Sequence, residues 1–276
     1  MALKEFLQQL NNARQQDFVP LCIKNHPFGY VLRRSVPLLY ELGFPLKNKN
    51  VLLQWQCPAT VEERSQQLAE INGQLRRQGL IGGWRDELLP VYGERDEIIA
   101  LTERASASFW GIRAYGVHLN GWRGDKLCFG RRSATKTVAP NCLDQLAAGA
   151  VAAGLGPWET LLKEGREEAN LPEELTRQAK AVGLISYCQA TENGVRRDTI
   201  FNFDMELPPD FVPHNGDGEM SEFIWLSAAE AWQRWAEFKL NSLAVLLDYR
   251  LRQGHFSVEE ADFQWYCQQR SGQGWH

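Results

Sequence analysis

No two of the six cysteines in this 276-residue chain (Cys22, Cys57, Cys128, Cys142, Cys188 and Cys267) are separated by just two residues. Zinc knuckles and dithiol redox pairs place their thiols at that spacing, so neither is expected. The opening stretch, Met1-Ala-Leu-Lys-Glu-Phe-Leu-Gln-Gln-Leu10, is amphipathic and is not the apolar core of a signal peptide. The cysteines therefore read as free thiols and the protein as cytoplasmic. No segment approaches the roughly 18 consecutive apolar residues of a membrane span, so no membrane partner is expected. A basic excess is also missing: 30 Lys and Arg face 34 Asp and Glu, for a net charge of −4. A nucleic-acid groove normally shows as a strongly basic domain, so no nucleic-acid polymer is expected as partner. Linkers and low-complexity tracts are lacking too. What is present is 44% hydrophobic and 11% aromatic residues, enough for a real core in two modest domains or one large one.

The most informative feature is a glutamate triplet, Glu164, Glu167 and Glu168. Positions i, i+3 and i+4 of a helix share one face, and like charges there repel by a few tenths of a kcal/mol per pair. A divalent cation turns that cost into a binding site, because Mg²⁺ takes hard carboxylate oxygens and shares them with substrate phosphates. A solvated helix face is the plainer reading of the same triplet.

Along the chain, Leu3, Phe6, Leu7 and Leu10 predict a helix over residues 2–16. Phe18–Ile23, Gly29–Leu32 and Val51–Trp55 read as strands, and Pro37 opens a helical turn. Thr60 with Glu63 three residues on is a capping box, predicting a helix to about Gln78. This first unit, 1–108, is a small α+β domain in which no catalytic motif stands out. The second unit, 109–276, holds strands at Tyr115–Trp122, Lys126–Arg132 and Leu143–Val151, and a helix over Pro157–Ala169 that starts on proline. A short helix at Leu175–Val182 follows, then strands Leu184–Ala190 and Thr199–Leu207, and a strand at Glu222–Leu226. Ser227 and Glu230 cap another helix. Two helices, about Leu240–Arg252 and Val258–Arg270, end the chain. Strands among interspersed helices imply a mixed sheet covered on both faces.

The segment Gly149–Leu171 resembles the Nudix box, whose pattern is Gly, five residues, Glu, seven residues, Arg-Glu-apolar-x-Glu-Glu-x-Gly-apolar. Gly149 matches the opening glycine, Glu164 the first core glutamate, Glu167 and Glu168 the pair, and Leu171 the closing apolar residue. Leu155 stands in place of the first Glu, Lys163 in place of Arg, Gly165 in place of an apolar residue and Asn170 in place of Gly. The stretches Arg131–Gly149, Gly183–Tyr187, Asp204–Pro208, Asn215–Phe223 and Phe238–Asp248 are similar to one Nudix branch, the one associated with thiamine pyrophosphokinase. Phe18-Val-Pro-Leu and Gly29–Arg34 fit the N-terminal domain of that branch.

The resemblance implies an α/β (α+β) fold: the Nudix α/β/α sandwich with a mixed sheet, preceded by the small N-terminal α+β domain. It implies hydrolysis of a small-molecule diphosphate with Mg²⁺ or Mn²⁺, the substrates being thiamine diphosphate and its oxidised or toxic analogues. Oxidised nucleoside triphosphates or nucleotide sugars are the alternative, and a non-catalytic binding module a second, which the off-pattern positions favour. The metal set would be Glu164, Glu167, Glu168 and the Gly149 carbonyl. Lys163 would orient Glu164, though as a point charge it lacks the bidentate fork of Arg.

Glu219 and Glu222 fall in an expected loop, where a mobile carboxylate reaches an attacking water. Glu219 is favoured as base or supplementary ligand and Glu222 is the backup. Arg132, Thr135 and Lys136 form a polar, basic cluster before the box that either contacts the terminal phosphate or is ordinary surface charge. Trp110, His118 and Tyr187 are candidate rings for stacking on a heteroaromatic group, or simply core. Oligomeric state is not readable.

Overall fold

The chain begins with helix α1 (Leu3–Leu10), strands β1 (Phe18–Ile23) and β2 (His26–Leu32), helix α2 (Val36–Glu41), and strands β3 (Leu46–Lys49) and β4 (Leu52–Trp55). The computed structural model describes residues 3–254, apart from 50, 137 and 217. The expected helix over 2–16 stops at Leu10 because the chain is drawn elsewhere. Asn11 and Asn12 accept hydrogen bonds from the backbone N–H groups of Cys188 and Ala190 at 2.9 and 2.7 Å, pinning the segment to a distant strand.

The first four strands form a sheet in the order β2-β1-β4-β3. Helix α3 (Val61–Arg77) follows, capped as the sequence implies. Thr60 Oγ1 accepts from Glu63 N at 3.2 Å, and Glu63 Oε2 accepts from Thr60 N at 3.3 Å. Its Leu68, Ile71 and Leu75 pack with Phe44, Trp55 and Trp110 in one core. Strands β5 (Leu88–Tyr92) and β6 (Ile98–Glu103) pair antiparallel, and the short helix α4 (Ala107–Trp110) closes this part.

Strand β7 (Arg113–Arg123) opens a larger sheet with β8 (Lys126–Arg132), β9 (Leu143–Asp144), β10 (Ala147–Ala150), β11 (Lys180–Thr191), β12 (Gly194–Glu206) and β13 (Met220–Ser227). The order is β11-β12-β7-β8-β13, with β10 on β7 and β9 on β8. β12 runs parallel to β7 and the other pairs are antiparallel, so the sheet is mixed. Helix α5 (Pro157–Ala169) covers one face, burying Leu161 and Ala169 against Val117, Leu119 and Phe203. Helices α7 (Ala228–Gln233) and α8 (Leu240–Arg252) cover the other, where Leu243 to Leu247 meet Phe129, Ile185 and Ile200. This is a three-layer α/β/α arrangement. Helix α6 (Glu173–Thr176) lies just after α5.

Three expectations need correction here. The helix at Leu175–Val182 ends at Thr176, and strand β11 takes over at Lys180, because Lys180 and Ala181 are already paired with Asp204 and Phe203. The strand at Leu143–Val151 is two strands on different partners, parted at Gln145 and Leu146, where the Asp144 and Gln145 side chains turn into a buried polar network. Glu222 lies within β13, beside Arg131, and not in a loop. The helix expected at Val258–Arg270 falls outside the described residues. Of the cysteines, Cys22, Cys57, Cys128, Cys142 and Cys188 are free thiols, and burial pushes the Cys128 thiol up to about 12. Among the described residues, no helix is long and apolar enough to cross a membrane.

Candidate active site

Helix α5 carries the glutamate triplet, and its two ends explain its fit. Gly156 and Pro157 start it, with Glu159 Oε2 accepting from Gly156 N at 3.1 Å. Asn170 ends it with a left-handed φ of 53°, its N–H donating to Arg166 O at 3.1 Å. Asn is the residue after glycine that best tolerates this conformation. Asn170 thus does the conformational work of the glycine it stands for. Leu171 and Thr176 lie 3.3 and 3.5 Å from where a Cβ on Gly165 would sit, so neighbouring side chains fill the space of the apolar residue that Gly165 replaces.

The triplet faces a cavity of about 610 Å³ lined by both the N-terminal elements and the large sheet. Glu168 is 1% exposed and its Oε2 accepts from Ala148 N at 2.8 Å. Burial, then the charges of Glu164 and Asp144, hold its carboxyl well above the usual carboxylate range. Glu164 is 8% exposed and lies against Gly149: a Cβ there would stand 2.2 Å from the Glu164 carboxyl carbon. Burial raises the Glu164 pKa, against the pull of Lys163. Lys163 Nζ sits 2.9 Å from Glu164 Oε1 and 3.1 Å from Glu167 Oε2. Burial works against that ammonium, but the two carboxylates overcome it and raise its pKa.

Among the described residues, no three His, Cys, Asp or Glu side chains already converge as an ion cage. The donor set nevertheless fits a hard divalent cation. It consists of carboxylate oxygens on one helix face beside a glycine with no Cβ, and Lys163 holds a positive charge between two of them. Glu164, Glu167, Glu168 and the Gly149 carbonyl are the groups that would hold the ion.

Glu219 and Lys136 also line the cavity and form an ion pair with each other. Burial raises the Glu219 pKa, but Lys136 outweighs it and the carboxyl sits below its ordinary value. Glu222 is directed elsewhere, pairing with Arg131 at 2.5 Å. Arg132 is buried, and its guanidinium is consumed by Asp144 Oδ2 (3.2 Å) and the carbonyls of Val138 (3.0 Å) and Ala139 (3.1 Å). Thr135 is exposed and bonded to Ser133 at 2.9 Å. Neither Glu222 nor Thr135 is among the groups lining the cavity.

Tyr187 borders the cavity but is 2% exposed, its hydroxyl donating to Asp198 Oδ2 at 2.8 Å, so its ring is core and its polar end belongs to the wall. Trp110 is deep in the N-terminal core, its Nε1 donating to Asn72 Oδ1 at 2.7 Å, which excludes stacking on a ligand.

His118 reaches the cavity wall from β7. Its Nδ1 bonds Gln145 Oε1 at 2.7 Å, so Nδ1 carries the proton. Gln145 Nε2 donates to Ser242 O at 2.9 Å, and Asp144 gathers Arg132, Lys239 and Ser242. Burial raises the Asp144 pKa, yet those cations and His118 prevail and hold the carboxyl below its ordinary value. Reasoning from sequence missed this network, although Leu143-Asp-Gln-Leu146 just before Gly149 was its signal: two polar residues inside an apolar strand. It also missed Arg85, Arg104, Arg196 and Asp198, which line the same cavity.

Comparisons with known proteins establish the family. Residues 2–114 match the family model described as a domain of unknown function (DUF4743). The chain is 31% identical to "Nudix hydrolase 20, chloroplastic" of Arabidopsis thaliana over 95% of this chain and 76% of that protein. It is 32% identical to "Nudix hydrolase 24, chloroplastic" of the same plant over 90% and 71%. The solved structure of DR0079 from Deinococcus radiodurans aligns over 58% of this chain and 97% of that chain, with 22% identity and a TM-score of 0.46. The chain belongs to the Nudix hydrolase family and is an enzyme of that hydrolase class.

Proposed function

We propose that the protein hydrolyses the diphosphate linkage of thiamine diphosphate and of its oxidised or toxic analogues, giving the monophosphate and phosphate with Mg²⁺ or Mn²⁺. The observation that carries the reading is the placement of Glu164 and Glu168 side by side beneath a cavity of about 610 Å³, large enough for a ligand of that size. The bound cation would neutralise the diphosphate oxygens and lower the pKa of a water. The chain's own residues do the rest. Lys163 fixes the Glu164 carboxylate through its 2.9 Å contact. Ala148 N–H fixes Glu168. Glu219, at the cavity edge, takes the proton of the attacking water, with Lys136 beside it as the countercharge. Arg132 and Lys136 of the cluster before the box both line the cavity, and with the Arg132 guanidinium held by Asp144, Lys136 is the cation offered to a phosphate.

The thiamine assignment rests on the chain-wide likeness to one branch. The acidic Asp198 on the cavity wall adds to it, since that carboxylate suits an amino-bearing or cationic ring. A substrate panel tests this: thiamine diphosphate and oxythiamine diphosphate against oxidised nucleoside triphosphates and nucleotide sugars, each with Mg²⁺ and Mn²⁺ and with products identified. The thiamine compounds should show the highest kcat/KM. A nucleotide turning over faster would replace the substrate while keeping the class.

A further inference from the structure

The cavity is closed on one side by residues that precede β7. The loop carrying Arg85 and the turn carrying Arg104 both line it, together with helix α5. Glu103, 4% exposed, ties them together: its Oε1 accepts from Arg85 N at 3.0 Å and from Ala105 N at 3.1 Å. A second tie runs from Arg104 N to Glu87 O at 2.8 Å, and Arg104 Nη1 pairs with Glu87 Oε2 at 2.6 Å. The wall itself is held against the large sheet. Asn193 Nδ2 donates to Leu80 O at 3.2 Å, Ala153 N to Leu88 O at 2.8 Å, and Arg197 Nη1 to Gly111 O at 3.1 Å. The backbone carrying the two arginines is therefore tied down, and the wall it belongs to is tied to the large sheet.

Helix α5 presents three carboxylates to a substrate that is itself an anion. Lys163 is already shared between two of them, and Arg132 is consumed inside the protein. Lys136, Lys239, Arg196 and Arg197 line the cavity from the large-sheet side, and Arg85 and Arg104 add positive charge from the N-terminal side. A guanidinium suits a substrate phosphate, since its planar fork matches two of its oxygens.

We propose that the N-terminal segment, residues 2–114, completes the active site, with Arg104 and Arg85 positioning the phosphate groups of the diphosphate substrate against the glutamates of α5. This rests on the diphosphate reading above and gives the N-terminal segment a role in binding.

The test uses the full chain with Arg104→Ala, Arg104→Lys, Arg85→Ala, the double alanine variant and Glu87→Gln. Two quantities are read: KM and kcat for the best substrate of the panel, and the Kd of methylenediphosphonate, a non-hydrolysable diphosphate, with Mg²⁺. Each alanine variant should raise KM and that Kd about tenfold or more, with a smaller effect on kcat, as loss of a charged hydrogen bond does. Arg104→Lys should recover part of the loss. Glu87→Gln breaks the same ion pair but keeps the guanidinium, and should lower KM.

A Glu87→Gln variant that mimics Arg104→Ala would mean the pair is only structural and would overturn the proposal. So would a double variant whose KM and Kd stay within twofold of wild type. If wild type turns over no diphosphate, the hydrolase reading fails, and the methylenediphosphonate titration still decides whether the arginines bind one.

Discussion

Arg132 Nη1 donates to Asp144 Oδ2 at 3.2 Å, joining two charged side chains that are both buried. This pair joins the end of β8 to β9, ahead of the Nudix box. Lys239 Nζ, at 3.3 Å, and Ser242 add partners from the start of α8. Asp144→Ala should therefore cost about 3–5 kcal/mol, because it strands a buried guanidinium without its countercharge. Urea unfolding measures it, and a loss under about 1 kcal/mol would show the network to be dispensable.

His118 gives a pH dependence. Burial, the largest influence, pushes its pKa down to about 4 from an ordinary 6.5, although Asp144 opposes the shift. The folded state keeps the ring neutral while the unfolded chain takes up a proton as pH falls below 6.5. Stability contributed by His118 is therefore complete above pH 6.5 and declines between 6.5 and 4, by about 3 kcal/mol in all. His118→Gln, which retains a donor toward Gln145, should flatten the stability curve in that window. An unchanged slope would show that other groups titrate there.

Gly149→Ala tests the tightness of the site. The new methyl would lie 2.2–2.4 Å from the Glu164 carboxyl, so the carboxylate must move by about an ångström. Misplacement of that size costs about a hundredfold in turnover. Circular dichroism should show the fold retained, and undiminished kcat would mean that Glu164 is not where the chemistry needs it.

Asn170 holds a φ of 53° at the end of α5. Asn170→Gly should leave the melting temperature equal or higher, while Asn170→Ala should lower stability by about 1 kcal/mol, the strain of a left-handed alanine. Equal stability of the two variants would contradict the cap assignment.

Much of the site could be read from the sequence because its signals are local. The glutamates at i, i+3 and i+4, the proline start of α5, the Thr60–Glu63 box and the Ser227–Glu230 box each depend on residues within a few positions. What escaped depends on distant partners. Arg132 looked like a phosphate contact because nothing near it announces that Asp144 would bury it. Glu222 stood at the edge of the expected strand Glu222–Leu226 and also looked like loop charge, because nothing near it announces that β13 starts at Met220 and sets Glu222 beside Arg131. Tyr187 and Trp110 looked available for stacking because burial is decided by the opposite layer. β3 and β6 escaped because no clear strand pattern separates them from their turns. The arginines of the N-terminal wall carry no motif, and only the closure of one part of the chain on the other brings them to the cavity.

The account stands on α5 as the seat of diphosphate chemistry, and one comparison reaches it directly: phosphate release from thiamine diphosphate and oxythiamine diphosphate with Mg²⁺, wild type against Glu168→Gln. Glutamine keeps the acceptor for Ala148 N–H, so the helix should stay in place while the anionic oxygen is lost. Wild type should release phosphate, and the variant should lose at least about a hundredfold of that rate, the several kcal/mol that a properly held cation contributes. A folded Glu168→Gln enzyme releasing phosphate at the wild-type rate would contradict the account.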